Sequence, residues 1–382
     1  MRSLSLISLT LFVGCGPKLN PKNPYTIARA EMTVPLSEDL STDAEITFPS
    51  QRRGPFPTVL LIQGRGPLDK DLSIDGPAGK SHLFRDLADD LTARGFAVVR
   101  FNKRHVRGPD DIDLPSFVRD ADTHTFRDDA LKVFDEALAH PQVDPKNVFV
   151  YGFGEGSTLA TSVVRDRPGK VAGLILQGAI GQPYEEIVKS WFADLTPPYL
   201  ARFSYRDMLD GILVGRALHS AAAAPALLAT KMLAVSYTRS GERAELSPLV
   251  DSNRDGIIEI EREYIPKIDY LVELSFGPLG FLQIYAADKA IPPVPELLDA
   301  SVTPPILVLQ GGNDATTPPI NAEHIEARLL DLSYPDYQVK LYPHLGHSLG
   351  PAGHPIDDLD RPIEARVKQD IGLWLAAHIR KK

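Results

Sequence analysis

The chain holds one cysteine among 382 residues, which excludes an intramolecular disulfide and leaves the core alone to stabilise the fold. Acidic residues outnumber basic ones, 50 to 41. With a net charge of −9 there is no basic stripe to neutralise phosphates, and nucleic acid drops out as a partner class. The apolar run from Leu4 to Val13 is too short to span a bilayer as a permanent helix. No internal repeat of solenoid length is visible. What remains is 43% hydrophobic and 24% charged, a globular composition with enough chain for a sizeable core.

The N-terminus carries an address. Met1-Arg2 is a short positive region, the apolar run follows, and Gly14-Cys15-Gly16 comes directly after it, the layout of a cleaved export signal. The arrangement resembles a bacterial lipoprotein signal, with Phe12 where Leu is usual. That resemblance implies a signal over residues 1–15, lipidation of Cys15 as the mature N-terminus, and a polar tether over 16–30. The expected location is the bacterial cell envelope, periplasmic or outer surface, with the protein anchored to a membrane surface rather than spanning it.

Beyond Glu31 strand-like and helix-like segments alternate. Glu31–Leu36 and Asp43–Phe48 read as a hairpin, and Thr58–Gln63 is a continuous apolar run suited to a parallel strand covered on both faces. Ser81 is placed to cap a helix through Arg94 that Gly95 closes. Strand-like runs recur at Ala97–Phe101, Val148–Tyr151, Val171–Ile180, Pro305–Gln310 and Tyr337–Tyr342, with helical patterns over Phe126–Ala139 and Pro362–Ile379. This predicts an α/β fold: a mostly parallel twisted sheet with helices on both faces, over 31–181 and 302–382. The interval 182–301 breaks the alternation. Rich in Ala and Leu and without a convincing buried strand, it predicts a helical cap inserted over the carboxyl ends of the strands.

The segment Val148–Ala160 reads as a strand, a tight turn and a helix start. It is laid out like the nucleophile elbow Gly-x-Ser-x-Gly, but here it reads Gly152-Phe153-Gly154-Glu155-Gly156, so the nucleophile position carries only hydrogen. Four further landmarks stand in order: Gln63–Asp71, Phe101–Arg104, Gln310–Asp314 and His344–His347. Together they make the chain similar to the α/β-hydrolases, and within them to bacterial serine esterases and peptidases with a large cap. The resemblance implies an acid at Asp314 and a base at His347, since a histidine takes the nucleophile's proton and a carboxylate fixes its tautomer. His344 competes for the base, but Gly346 before His347 fits the family pattern. Backbone N–H groups of Arg65 and Glu155 would form the oxyanion hole, and the preceding position, commonly His, is Phe153.

Two other groups compete for the nucleophile's work. Ser157 lies three residues past the elbow tip and about one turn along the helix, directed away from His347. Glu155 could activate water beside His347, or simply line the pocket rim. A separate signal, Asp251-Ser-Asn-Arg-Asp-Gly256 followed by Ile258, resembles the start of a calcium loop, with oxygen ligands from Asp251, Asn253 and Asp255. Its twelfth position is Arg262, which cannot ligate a cation, flanked by Glu261 and Glu263. The expected function is that of an exported relative of ester or peptide hydrolases, impaired by Gly154, that takes a small acyl, ester or peptide ligand and requires no cofactor. The alternatives are an active hydrolase with an unconventional nucleophile or activated water, and a surface protein with a binding or structural role.

Overall fold

A computed structural model describes residues 25–380 apart from 77–78, 239, 241, 279, 287–288 and 300–301; Cys15 and most of the expected tether lie outside them. The main sheet has eight strands: β1 (Ile27–Pro35), β2 (Ser41–Pro49), β3 (Phe56–Ile62), β4 (Ala97–Phe101), β5 (Val143–Phe153), β6 (Val171–Gln177), β7 (Ile306–Gly311) and β8 (Tyr337–Tyr342). They lie side by side as β1-β2-β4-β3-β5-β6-β7-β8. The first two are antiparallel to their neighbours, and every pair from β4 to β8 is parallel. β1 begins at Ile27, inside the stretch expected as tether, because its pairing with β2 extends to Ile27↔Pro49.

Burial follows the sequence pattern. β6 and β7 are buried along their whole length, as strands covered by helices on both faces must be. The helices α1 (Leu83–Ala93) and α5 (Ala365–Ala377) cover one face through Phe84, Leu87, Leu91, Ile371 and Trp374. On the other face lie α2 (Thr123–Ala139), α3 (Gly156–Asp166) and α4 (Ile320–Asp331), carrying Phe126, Val133, Leu159, Val163 and Ile325. Packing is close enough to need a glycine. A methyl carbon added to Gly173 of β6 would come within 2.8 Å of the rings of Phe149 and Trp374, so α5 could not seat there.

Two local expectations change. Ser81 does not cap α1; it pairs with Ile74 in a ribbon of Ser73–Gly76 with Gly79–His82. The first helical N–H groups turn instead to the preceding loop, Leu83 to the Leu72 carbonyl at 3.2 Å and Phe84 to that of Asp71 at 3.0 Å, which supplies acceptors a serine would otherwise provide. Gly95 does close the helix, with φ +107°. α2 starts three residues earlier than its apolar pattern shows, because the Asp122 carboxylate accepts the N–H groups of His124 and Thr125.

The insertion between β6 and β7 has its own core of Trp191, Phe192, Tyr199, Leu209, Ile258 and Tyr264. It is not purely helical. Beside helices such as Tyr184–Ser190, Gly211–His219 and Ile268–Phe276 it holds two ribbons, Met208–Asp210 with Ile257–Glu259 and Ala234–Tyr237 with Ala244–Leu246. Leu209 and Ile258 are fully buried, yet with three residues per strand such pieces leave no readable alternation. Among the described residues no helix is long and apolar enough to cross a membrane.

Candidate active site

At the carboxyl end of β5 the chain turns through Gly154, whose φ is +55°, straight into α3. Sterics dictate the glycines around it. A methyl carbon on Gly152 would sit 2.3 Å from the Gly156 carbonyl oxygen, and one on Gly156 would sit 2.3 Å from that of Ile62. Both flanking positions are therefore closed to side chains, as a turn this tight against β3 requires. Gly154 differs. A methyl carbon there would lie 3.2 Å from His347 Nε2 and 3.5 Å from Cε1, so the bare position faces the edge of an imidazole across a gap that one side-chain carbon nearly fills.

The imidazole is held from behind. Its Nδ1 lies 2.9 Å from Asp314 Oδ2, which sets the proton on Nδ1 and leaves Nε2 toward Gly154. Asp314 is itself fixed in the turn after β7: Oδ1 accepts the N–H groups of Thr316 and Thr317, and Oδ2 accepts from Gln310 Nε2 and Thr317 Oγ1. The His347 carbonyl accepts from Gln177 Nε2 at 2.9 Å, and its N–H donates to Asp358 Oδ2 at 2.9 Å. That last contact explains Gly346, where a methyl carbon would fall 1.8 Å from Asp358 Oδ1. His344, the competing base, is exposed on the strand side of the loop.

Charge follows from these neighbours. Burial opposes protonation of His347, but the Asp314 carboxylate and the hydrogen bond to it, helped by Asp360 and Asp358, outweigh burial and raise the pKa to about 9. The shift favours the doubly protonated ring, whose Nε2 faces the bare position. Burial, with the nearby Asp314 charge, also lifts Asp358 to about 7 although it accepts N–H groups from Ala315 and His347. Burial raises Asp360 in the same direction.

A cavity of about 260 Å³ opens over Gly154, lined among others by Arg65, Phe153, Tyr184, Trp191, His347 and Asp360. Most of its wall is apolar. Arg65 reaches it from the turn after β3 with its guanidinium over the Trp191 ring, 5.2 Å from the centroid. Neither the Arg65 N–H nor the Glu155 N–H has a hydrogen-bond acceptor among the described residues, so both remain available as donors at the mouth of the α3 N-terminus. Phe153, where a histidine is common, packs its ring 4.5 Å from that of His347.

The competing groups are committed elsewhere. Ser157 is buried, and its Oγ accepts the Ile180 N–H at 3.0 Å, tying α3 to the start of the cap. Glu155 lines the cavity but is only 2% exposed, ion-paired to Lys103 Nζ at 3.0 Å and accepting from the Tyr285 hydroxyl. Pairing of this kind is required for a buried carboxylate, and it directs both Glu155 oxygens to Lys103 and Tyr285. Sequence reasoning missed Lys103, Tyr285, Thr317 and Asp358. Lys103 sits in a quoted landmark, but its partner is 52 residues away, and Tyr285 is 130 away. Asp251, Asn253 and Asp255 lie in the cap and do not line this cavity.

The sequence profile of the serine aminopeptidase S33 family matches residues 72–227. Esterase EstD of Thermotoga maritima is 30% identical over 150 residues, covering 38% of this chain and 32% of that protein. Esterase FrsA of Yersinia pestis is 30% identical over 164 residues, 41% of this chain and 33% of that one. The chain thus spans about a third of the length of these relatives. A proline iminopeptidase from Mycobacterium smegmatis matches in fold, with a TM-score of 0.51 at 16% identity over 91% of this chain and 98% of that one.

Proposed function

Because the chain belongs to the α/β-hydrolase superfamily, we propose that it descends from serine hydrolases of esters or peptides and has lost their covalent step at Gly154. It keeps the pocket to bind a small acyl, ester or peptide ligand. The observation that carries this reading is the 3.2 Å between His347 Nε2 and a methyl carbon placed on Gly154, which is where an attacking side chain would begin. Without one, the ion pair of His347 and Asp314 has no proton to accept. It becomes a fixed donor, and Nε2–H with the two free backbone N–H groups suits a carbonyl or carboxylate oxygen. Trp191, Ile187 and Val188 supply apolar wall for the rest of the ligand. No cofactor enters this chemistry. The N-terminal signal fits the same picture, with Cys15 lipidated and the cap presented at the surface of the cell envelope.

Gly154→Ser tests it. The purified mature chain should turn over no generic aryl ester and resist labelling by a fluorophosphonate, whereas the variant should label, alone or with Phe153→His. The added carbon asks His347 to yield a few tenths of an ångström, and the positive φ costs a serine on the order of 1–3 kcal/mol. Ester turnover by the unaltered chain that vanishes in His347→Ala would overturn the reading.

A further inference from the structure

The turn Asp251–Gly256 contains a buried acceptor without a donor. Asp251 is 6% exposed; its Oδ2 reaches across the turn to the Gly256 N–H at 3.1 Å, while Oδ1 of the same carboxylate has no hydrogen-bond partner among the described residues. An ionised oxygen buried without a partner is costly, and a cation in the turn is the partner its geometry admits. In the same turn Asn253 Oδ1 lies 2.8 Å from the Asp255 N–H, Asp255 Oδ1 2.9 Å from that of Ile257, and Asn253 Nδ2 donates to Asp255 Oδ2 at 3.0 Å. Gly256, at φ +82°, then turns the chain into Ile257–Glu259.

The obstacle in the sequence was Arg262 at the twelfth position. In the structure Arg262 points outward, its side chain 81% exposed and paired with Glu259 at 3.2 Å. Ile260–Tyr264 is a π-helical turn, which holds about one residue more per turn than an α-helix. That extra residue brings the thirteenth position, Glu263, back beneath the loop. Glu263 is 8% exposed, and its carboxylate accepts the N–H groups of Ser252 at 3.2 Å and Glu259 at 3.1 Å.

We propose that Asp251, Asn253 and Asp255, closed by Glu263 delivered on the π turn, form a calcium site in the cap. All four donors are oxygens, the set a hard cation takes, and the loop is an open one that a small octahedral ion such as magnesium fits poorly. Among the described residues no three His, Cys, Asp or Glu side chains are gathered as a metal cluster; the carboxylates of Asp255 and Glu263 are turned to backbone N–H groups, and the proposal requires them to exchange those bonds for the ion. The site is tied to the pocket wall. Ile258 and Leu209 pair across the ribbon beside it, and the Tyr264 hydroxyl donates to the Phe192 carbonyl at 3.0 Å, next to Trp191.

The test is thermal melting of the chelator-treated mature chain with and without 1 mM-range Ca2+, alongside calorimetric titration of Ca2+ and of Mg2+. Calcium should raise the melting temperature by several degrees and bind near one per chain, with magnesium far weaker. Asp251→Asn and Glu263→Gln should each lose the shift, and Arg262→Ala should keep it. No heat and no shift with calcium, or a shift that survives Glu263→Gln, overturns the proposal. Neither outcome bears on the ligand pocket, which is probed separately by fluorophosphonate labelling.

Discussion

The surroundings of His347 and the turn Asp251–Gly256 treat buried carboxylates and glycines differently. Around His347 the Asp314 carboxylate is surrounded by donors from Gln310, Thr316, Thr317 and the imidazole itself, and Gly152, Gly156 and Gly346 each stand where any side chain would strike a neighbour. In the turn Asp251–Gly256, Asp251 Oδ1 has no donor among the described residues, and a methyl carbon on Gly256 would meet nothing within 4 Å. The Asp314 carboxylate is thus satisfied with the Gly154 position bare. The turn at Asp251 leaves one carboxylate oxygen open, among the described residues, where the proposed cation would sit.

A paired substitution gives the largest contrast. Gly156→Ala drives a carbon against the Ile62 and Gln63 carbonyls at 2.3 and 2.6 Å and should cost more than about 4 kcal/mol or prevent folding, while Gly256→Ala meets only its positive φ and should cost about 1 kcal/mol. Equal losses in urea unfolding would erase the distinction. Next comes the buried ion pair at the pocket floor. Lys103→Met leaves Glu155 charged and unmatched, an expected loss of about 3–5 kcal/mol; adding Glu155→Gln should restore part of it, and a double variant no better than the single would argue against the pairing.

The smallest effect is on pH. Because the His347 pKa is raised above its ordinary value of about 6.5 to about 9, its contribution to stability is fully present below about pH 6.5 and is lost as pH rises through 9. The melting temperature should drift down by a few degrees across that window. His347→Gln should flatten this part of the profile, and an unchanged slope would mean that the ring is not held as a cation.

Much of this was legible in the chain. Continuous apolar runs such as Thr58–Gln63 marked the buried strands, and the order of Gly154, Asp314 and His347 singled out residues that the structure brings together, because covered parallel strands and the turns after them leave strong local patterns. The cap ribbons were not legible, since three-residue strands carry no period. The Ser81 cap misled because a loop carbonyl can satisfy a helix N-terminus as well as a hydroxyl can.

By itself, then, the sequence determined the fold class, the acidic and disulfide-free character, and the glycine where a nucleophile would stand. Only the tertiary structure decided that this glycine faces His347 Nε2 at a single carbon's distance, that Glu155 is locked by Lys103 and Tyr285, and that a π turn brings Glu263 under the Asp251 loop. The physical reason is the same in each case: a hydrogen bond or ion pair between residues far apart in the chain depends on where the sheet and the cap place them, and no local pattern of residues records that distance.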